Sequence, residues 1–273
     1  MLFQYPGSKA NLAPGIVALM PRHLAYVEPF AGTLSVLYAK RPITPTSKAT
    51  ISGEIVNDLD EEIVNFFRVI RDDAEELTRR CDLTPWSRQE FEDCKMYAEC
   101  SVTDDPIERA REFWVSRDFS VNGTMRGFSS VAGKRLSQLA HISRMVEFGK
   151  RLRYTLIENL DYREIFSLYD SEDTLFYCDP PYLGNTRHGA LYVHEMMGET
   201  DHEDFARCCN DAKGHVMVSG YPSPEYDEMF KGWDSREWKV VSTLTAEHSN
   251  GRGIEATEKL WANFPMTTQG SLW

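Results

Sequence analysis

The sequence predicts an α/β fold, a mostly parallel strand–helix sheet interrupted by a mainly helical insertion. Three stretches carry that expectation. Leu24–Phe30 (LAYVEPF) reads as an apolar strand, Ala31–Gly32–Thr33 as a tight small-residue turn, and Ser35–Lys40 as the start of a helix. Strand, small turn and helix in succession form the opening unit of a Rossmann-like nucleotide-binding sheet. Leu175–Cys178 (LFYC) reads as a buried strand that stops at Asp179–Pro180–Pro181–Tyr182. Two prolines in a row end a sheet ladder because neither has an N–H to donate. From residue 73 to residue 150, between these units, strand patterns vanish. The expected division is one sheet domain made of residues 1–72 and 151–273, with residues 73–150 inserted into it.

The elements follow in order. Tyr5–Lys9 (YPGSK) supplies a Pro–Gly turn, with Ser8 placed to cap a helix. Thr50–Val56 is the second strand, leading through Asn57–Asp58 to a helix over Glu61–Asp72 (EEIVNFFRVIRD). An acid at that strand end is placed to accept the ribose hydroxyls of an adenosine, or else to cap the helix. Helices are expected over Ala74–Cys81, Ser87–Glu99 and Pro106–Arg117. Tyr154–Glu158 resumes the strands, and Asp161 after it either accepts from an adenine amino group or caps the next helix. Leu183–Gly198 has glycines at three positions and no period, and a connection of that length is usually functional. Asp201–Ala212 reads as a helix, His215–Tyr221 as a strand and Pro224–Phe230 as a helix. Trp238–Thr245 and Glu255–Asn263, with no helix between them, predict a closing hairpin at the sheet edge.

Asp179–Tyr182 is where the chemistry concentrates. An acid, the fixed carbonyl of Pro180 and the face of Tyr182 at a strand's carboxyl end make a pocket for a flat ring bearing an NH₂ group. The bland alternative is a strand-to-loop stop whose acid caps a turn.

Composition bounds the rest. The chain has 273 residues, 42% of them hydrophobic and 26% charged, as in a globular domain with a sizeable core. Leu2–Pro6 is too short and lacks the basic start of a signal peptide, and no apolar run is long enough to span a bilayer. Six cysteines without CxxC spacing, and seven histidines without HExxH, argue against a disulfide framework or a metal site. A reducing cytoplasm is the expected setting. The absence of GxGxxG disfavours a dinucleotide cofactor.

A net charge of −12 opposes nonspecific coating of DNA, yet phosphate contacts need only a local basic face. In a chain with 42 acids, none falls between Phe119 and Val146. That stretch holds the Asn122–Gly123 turn, with Arg117, Arg126, Lys134 and Arg135 about it, Phe119 and Phe128 interleaved, and His141 and Arg144 following. Lys150 and Arg151 extend the series. A DNA-facing surface is expected there, with Arg126 the residue to reach a phosphate or base edge. A solvated charged loop is the alternative.

YPGSK, VEPFAG, the Asn57–Asp58 pair, NGTMRG, DPPY and TEKLW occur in an order that resembles the Dam-type (D12 class) DNA N6-adenine methyltransferases across nearly the whole chain. The resemblance implies a Rossmann-like S-adenosylmethionine (SAM)-dependent methyltransferase sheet with an inserted, mainly helical target-recognition domain. It implies SAM as cofactor, double-stranded DNA as partner, and no metal. Tyr5, Gly7, Lys9, Glu28, Phe30, Ala31 and Gly32 would border the SAM pocket, Asp58 and Asp161 would hold its adenosine, and Asp179 would adjoin it. Asp179, Pro180, Pro181 and Tyr182 would be catalytic, with Tyr182 stacked on a flipped adenine. Arg117, Asn122, Gly123, Arg126, Lys134, Arg135, Arg187 and Tyr192 would meet DNA. Thr33–Leu34 departs from the family by replacing an extra glycine of the turn. Cytosine N4 as acceptor, a silent SAM- and DNA-binding protein, and methylation of a protein glutamine are the alternatives, the last disfavoured because such enzymes carry asparagine where Asp179 stands.

Overall fold

A computed structural model describes residues 2–46, 49–100, 103–182, 196, 199–242 and 254–267. In chain order its elements are α1 (Ala13–Val17), β1 (Ala25–Glu28), α2 (Ser35–Ala39), β2 (Gly53–Asn57), α3 (Glu61–Asp72), α4 (Ala74–Leu83), α5 (Arg88–Cys100) and α6 (Pro106–Asp118). There follow α7 (Ala132–Ile142), α8 (Met145–Leu152), β3 (Thr155–Glu158), α9 (Tyr162–Tyr169), β4 (Thr174–Cys178), α10 (Glu199–Asp211) and β5 (His215–Gly220). The described chain closes with α11 (Pro224–Met229), β6 (Asp234–Ser242) and β7 (Ile254–Ala262). The strands form one sheet in the order β3-β2-β1-β4-β5-β7-β6, parallel except for β7, which is antiparallel to both β5 and β6. The expected hairpin is therefore present at the sheet edge. Its first strand begins at Asp234, four residues before the expected Trp238.

Alternation along the strands feeds two cores. Tyr26, Val56, Ile157, Leu175, Tyr177, Met217 and Leu260 pack on one face. Val27, Ile55, Phe176, Cys178, Val216, Val218 and Trp261 pack on the other, against α9, α10 and α11. A strand with both faces covered reads as an unbroken apolar run, which is why these segments were legible. On the first face α3 buries Ile63, Val64, Phe66, Phe67, Val69 and Ile70, each contributing roughly 1.5–3 kcal/mol. Asp60 caps α3 by accepting from the amide of Glu62.

Helices α4 to α8 extend that same core and do not form one of their own. Leu77, Cys81, Phe91, Trp114, Phe119 and Leu152 belong to the cluster that contains Phe3, Phe66 and Phe67. Helix α6 is buried on nearly every side over its second half, from Glu112 to Asp118. The indole of Trp114 donates to the carbonyl of Leu2 at 3.1 Å, tying the chain's first residues to this layer.

Candidate active site

The strand order reverses between β1 and β4, so the turns leaving their carboxyl ends diverge and leave a crevice. Asn57, 1% exposed, fixes the turns around it. Its side-chain amide donates to the carbonyls of Pro29 (2.9 Å) and Leu160 (3.0 Å), and its carbonyl accepts from the amide of Leu160 (2.8 Å). One side chain thus joins the turns after β1, β2 and β3. Asp58 accepts from the amide of Gly32 at 3.0 Å through Oδ2 and from that of Asp60 at 3.0 Å through Oδ1. The helix cap is Asp60, which leaves Asp58 facing the crevice. At the departure noted in the sequence, Leu34 adopts φ +53° and Gly32 φ +48°. The left-handed conformation that the missing glycine would adopt freely is held by Leu34, which is fully buried, at about 1–2 kcal/mol.

The crevice encloses a cavity of about 240 Å³. Tyr5, Gly7, Lys9, Glu28, Phe30, Ala31, Gly32, Asp58, Asp161 and Asp179 all line it, from five separate parts of the chain. Pro181 lines it as well. Sequence reasoning missed Leu160, Tyr162, Met196 and Asp201, which also contribute. The strand ends before Leu160 and Tyr162 were the available signal; Met196 falls in the Leu183–Gly198 connection whose length had marked it as functional. Asp161 caps α9 by accepting from the Arg163 amide, and it also lines the cavity.

Asp179 is held by two donors, with a third hydroxyl close by. Lys9 Nζ donates to Oδ2 at 3.0 Å, Ser219 Oγ to Oδ1 at 3.1 Å, and the Tyr182 hydroxyl reaches Oδ1 at 3.4 Å. The Tyr177 hydroxyl backs Ser219 at 3.0 Å. Lys9 also donates to the carbonyl of Gly7 at 2.8 Å and to the Tyr182 hydroxyl. Burial alone would depress the Lys9 ammonium, but the charges of Asp179 and Glu258 outweigh it and hold Lys9 above its usual range. The expected stacking face of Tyr182 is not presented. The ring is 5% exposed and meets Tyr221 edge-on at 4.6 Å, because its hydroxyl is drawn inward to Lys9, Asp179 and Glu258.

The cavity is acidic. Among the described residues, Glu28, Asp58, Asp60, Asp161, Asp179 and Asp201 line it against Lys9 and Arg163. Burial pushes the Glu28 carboxyl up to about 8, against hydrogen bonds from the Tyr26 hydroxyl (2.7 Å) and the Leu37 amide. Such a wall suits a ligand that carries positive charge and no phosphate. SAM, with its sulfonium, ammonium and ribose diol, fits that set of acceptors. Among the described residues no cluster of His, Cys, Asp and Glu is arranged to hold a metal ion, and no helix is long and apolar enough to cross a membrane.

The expected DNA-facing residues divide. Arg126 is exposed beside the Asn122–Gly123 turn, where both residues have positive φ, and Arg135 is half-buried, its guanidinium donating to Gln138 at 3.3 Å. Arg117 is a correction. It is 2% exposed, lies over the rings of Tyr5 (4.9 Å) and Phe113 (5.6 Å), and donates to the carbonyl of Gly123 at 3.3 Å. Its charge braces the turn from inside, out of reach of a phosphate. Lys134 is also turned inward, donating to Gln4, and burial pushes its ammonium down to about 8. His141 pairs with buried Asp118 at 2.9 Å, and Arg151 pairs with Glu54. The basic stretch is thus partly internal bracing. Arg187 and Tyr192 lie outside the described residues.

Residues 5–246 match the family described as D12 class N6 adenine-specific DNA methyltransferase. The DNA adenine methylases of the classical Ogawa and El Tor Inaba strains of Vibrio cholerae serotype O1 are each 21% identical over 276 residues, covering 96% of this chain and 94% of theirs. Among solved structures, the SAM dependent methyltransferase from Agrobacterium tumefaciens aligns at 10% identity with a TM-score of 0.37. That alignment covers 93% of this chain and 61% of the other, so the chain spans less than two thirds of that protein's length.

Proposed function

The chain belongs to the D12 class N6 adenine-specific DNA methyltransferases, and from that premise we propose that it methylates the N6 amino group of an adenine flipped out of double-stranded DNA, with SAM as donor. The observation that carries this reading is the convergence of Asp179, the turn after β1 and Asp58 on one acidic cavity. SAM, when bound, supplies a methyl group made electrophilic by its sulfonium. Asp58 holds the ribose, Asp161 the adenine, and the Tyr5–Lys9 and Glu28–Gly32 segments the amino-acid part.

An adenine amino nitrogen is a poor nucleophile, because its lone pair is delocalised into the ring. Asp179 accepts one N–H and the Pro180 carbonyl the other, which draws the nitrogen toward tetrahedral geometry. The nitrogen becomes cationic as its new bond to the methyl carbon forms and the methyl–sulfur bond breaks, the sulfur leaving as a neutral thioether; the Asp179 carboxylate stabilises that charge until the extra proton passes to solvent. Positioning contributes much of the remaining acceleration. Unstacking the base costs a few kcal/mol, with Asn122, Arg126 and Arg135 contacting the duplex from the helical segment of residues 73–150, while Gly123, expected there too, is buried against Gln4 and Tyr5 and shapes the turn instead. Work of this kind on DNA belongs in the cytoplasm of a bacterium.

The test is transfer of labelled methyl from SAM to unmethylated duplex DNA, followed by digestion to nucleosides, for the wild type and Asp179→Ala. N6-methyladenine from the wild type and none from a folded Asp179→Ala chain is expected. N4-methylcytosine would keep the mechanism and change the acceptor. SAM binding without incorporation would point to a silent binding protein.

A further inference from the structure

Behind the catalytic carboxylate stands a second one. Glu258, on β7, is 8% exposed. The Tyr182 hydroxyl donates to its Oε2 at 3.0 Å, and Lys9 Nζ lies 3.9 Å from the same oxygen. One buried ammonium therefore stands between two carboxylates, 3.0 Å from Asp179 and 3.9 Å from Glu258. Burial, only partly offset by Lys9, holds the Glu258 carboxyl above its usual range.

This arrangement poses a problem for methyl transfer. Lys9 neutralises the carboxylate that must stabilise a cationic nitrogen, and it occupies Oδ2 while Ser219 donates to Oδ1. Withdrawing Lys9 from Asp179 with no other anion nearby would strand a buried charge, which is strongly unfavourable. Glu258 is that other anion. The 3.9 Å ion pair closes to hydrogen-bond contact with a movement of about 1 Å, a shift within the reach of a flexible lysine stem.

We propose that Glu258 is a positioning residue. It takes over the Lys9 ammonium when the target amino group engages Asp179, freeing Oδ2 to accept from the amine while Lys9 stays paired. The inference rests on the methyl-transfer reading above. It separates charge from hydrogen bonding. A glutamine at 258 still offers the Tyr182 hydroxyl an acceptor but gives Lys9 no anion.

The experiment compares single-turnover methyl transfer from SAM to unmethylated duplex for the full chain and for Glu258→Gln, Lys9→Gln and the double variant. SAM dissociation constants are measured by calorimetry on the same proteins. Glu258→Gln is expected to slow the single-turnover rate about tenfold or more while changing SAM affinity by less than about twofold. In the Lys9→Gln background the same substitution is expected to slow it by less than about threefold, since no ammonium then needs rehousing. Glu258→Asp, which keeps the charge, should retain more of the rate than Glu258→Gln. A wild-type rate in Glu258→Gln, or an equal loss with and without Lys9, would overturn the proposal in favour of simple packing. A slower Glu258→Asp than Glu258→Gln would overturn it too. A wild-type chain that transfers no methyl group to adenine would instead refute the underlying reading, which keeps the two failures apart.

Discussion

Replacing Gly123 with alanine tests the junction between the chain's first residues and the turn expected to meet DNA. Gly123 has φ +72°, and a Cβ added there would lie 2.4 Å from the carbonyl oxygen of Gln4 and 2.9 Å from the amide nitrogen of Tyr5. The left-handed conformation costs a residue with a Cβ about 1–2 kcal/mol. Both colliding atoms are backbone and have no rotamer to escape into, so relief requires moving one segment off the other. Overpacking of that kind costs about 1–3 kcal/mol. The two effects sum to about 2–5 kcal/mol, which for a chain of this size lowers the melting temperature by roughly 5–15 °C. Gly127 is the internal control, with no atom within 4 Å of its added Cβ and no left-handed φ, so Gly127→Ala should fall within about 0.5 kcal/mol of the wild type. Thermal unfolding followed by circular dichroism would rank the three proteins. SAM affinity of Gly123→Ala should fall as well, because Tyr5 lines the cavity. A Gly123→Ala chain that melts within about 1 °C of the wild type would refute the reasoning, since it would mean the two segments are not in rigid contact.

Three further outcomes are expected. Burial raises Glu28 from 4.5 to about 8, so the folded chain holds a proton that the unfolded chain has released across that window. Stability therefore declines as pH rises from about 4.5 to about 8, and Glu28→Gln should flatten that decline; parallel melting-temperature profiles would count against it. Asp58→Asn should weaken SAM binding about tenfold or more in calorimetry, the scale of a lost charge-assisted hydrogen bond, and unchanged affinity would remove Asp58 from the ribose. Arg126→Ala should weaken duplex binding by about 1–3 kcal/mol in a titration while leaving SAM affinity in place. Equal losses for both ligands would remove the turn's assigned role.

Much of the site was readable because its residues sit at strand ends. Asp58 and Asp179 each follow an apolar run, and the run locates them without any knowledge of packing. The second strand was placed three residues early, since Gly53, at φ +106°, starts the ladder where Thr50 had been expected to. What was not readable depends on distance in sequence. Lys9 meets Asp179 across 170 positions, and Tyr182 meets Glu258 across 76, and no local pattern encodes either meeting. Arg117 was misread for a different reason. A helix buried on most of its surface has no polar face to set its basic residues apart, and an internal arginine then looks like a surface one. Asn57 was noticed only as the neighbour of an acid, though its amide holds three turns together.

The pairing of β1 with β4 has a consequence for how activity is acquired. Ala25 aligns with Thr174 and Val27 with Phe176, so the centre of the sheet is sewn across the whole helical segment. Pairings this remote in sequence must meet the entropy of closing a long loop before any contact repays it, and they set the slow step of folding. Lys9 and Asp179 stand on opposite sides of that seam, and Glu258 arrives from a strand later still. A half-assembled chain can own a formed β1–α2 unit or a formed β4–β5 pair and still lack the ion cluster. During refolding, helical signal should return before the ability to transfer methyl groups, and that ability should appear in a single phase, when the last seam closes.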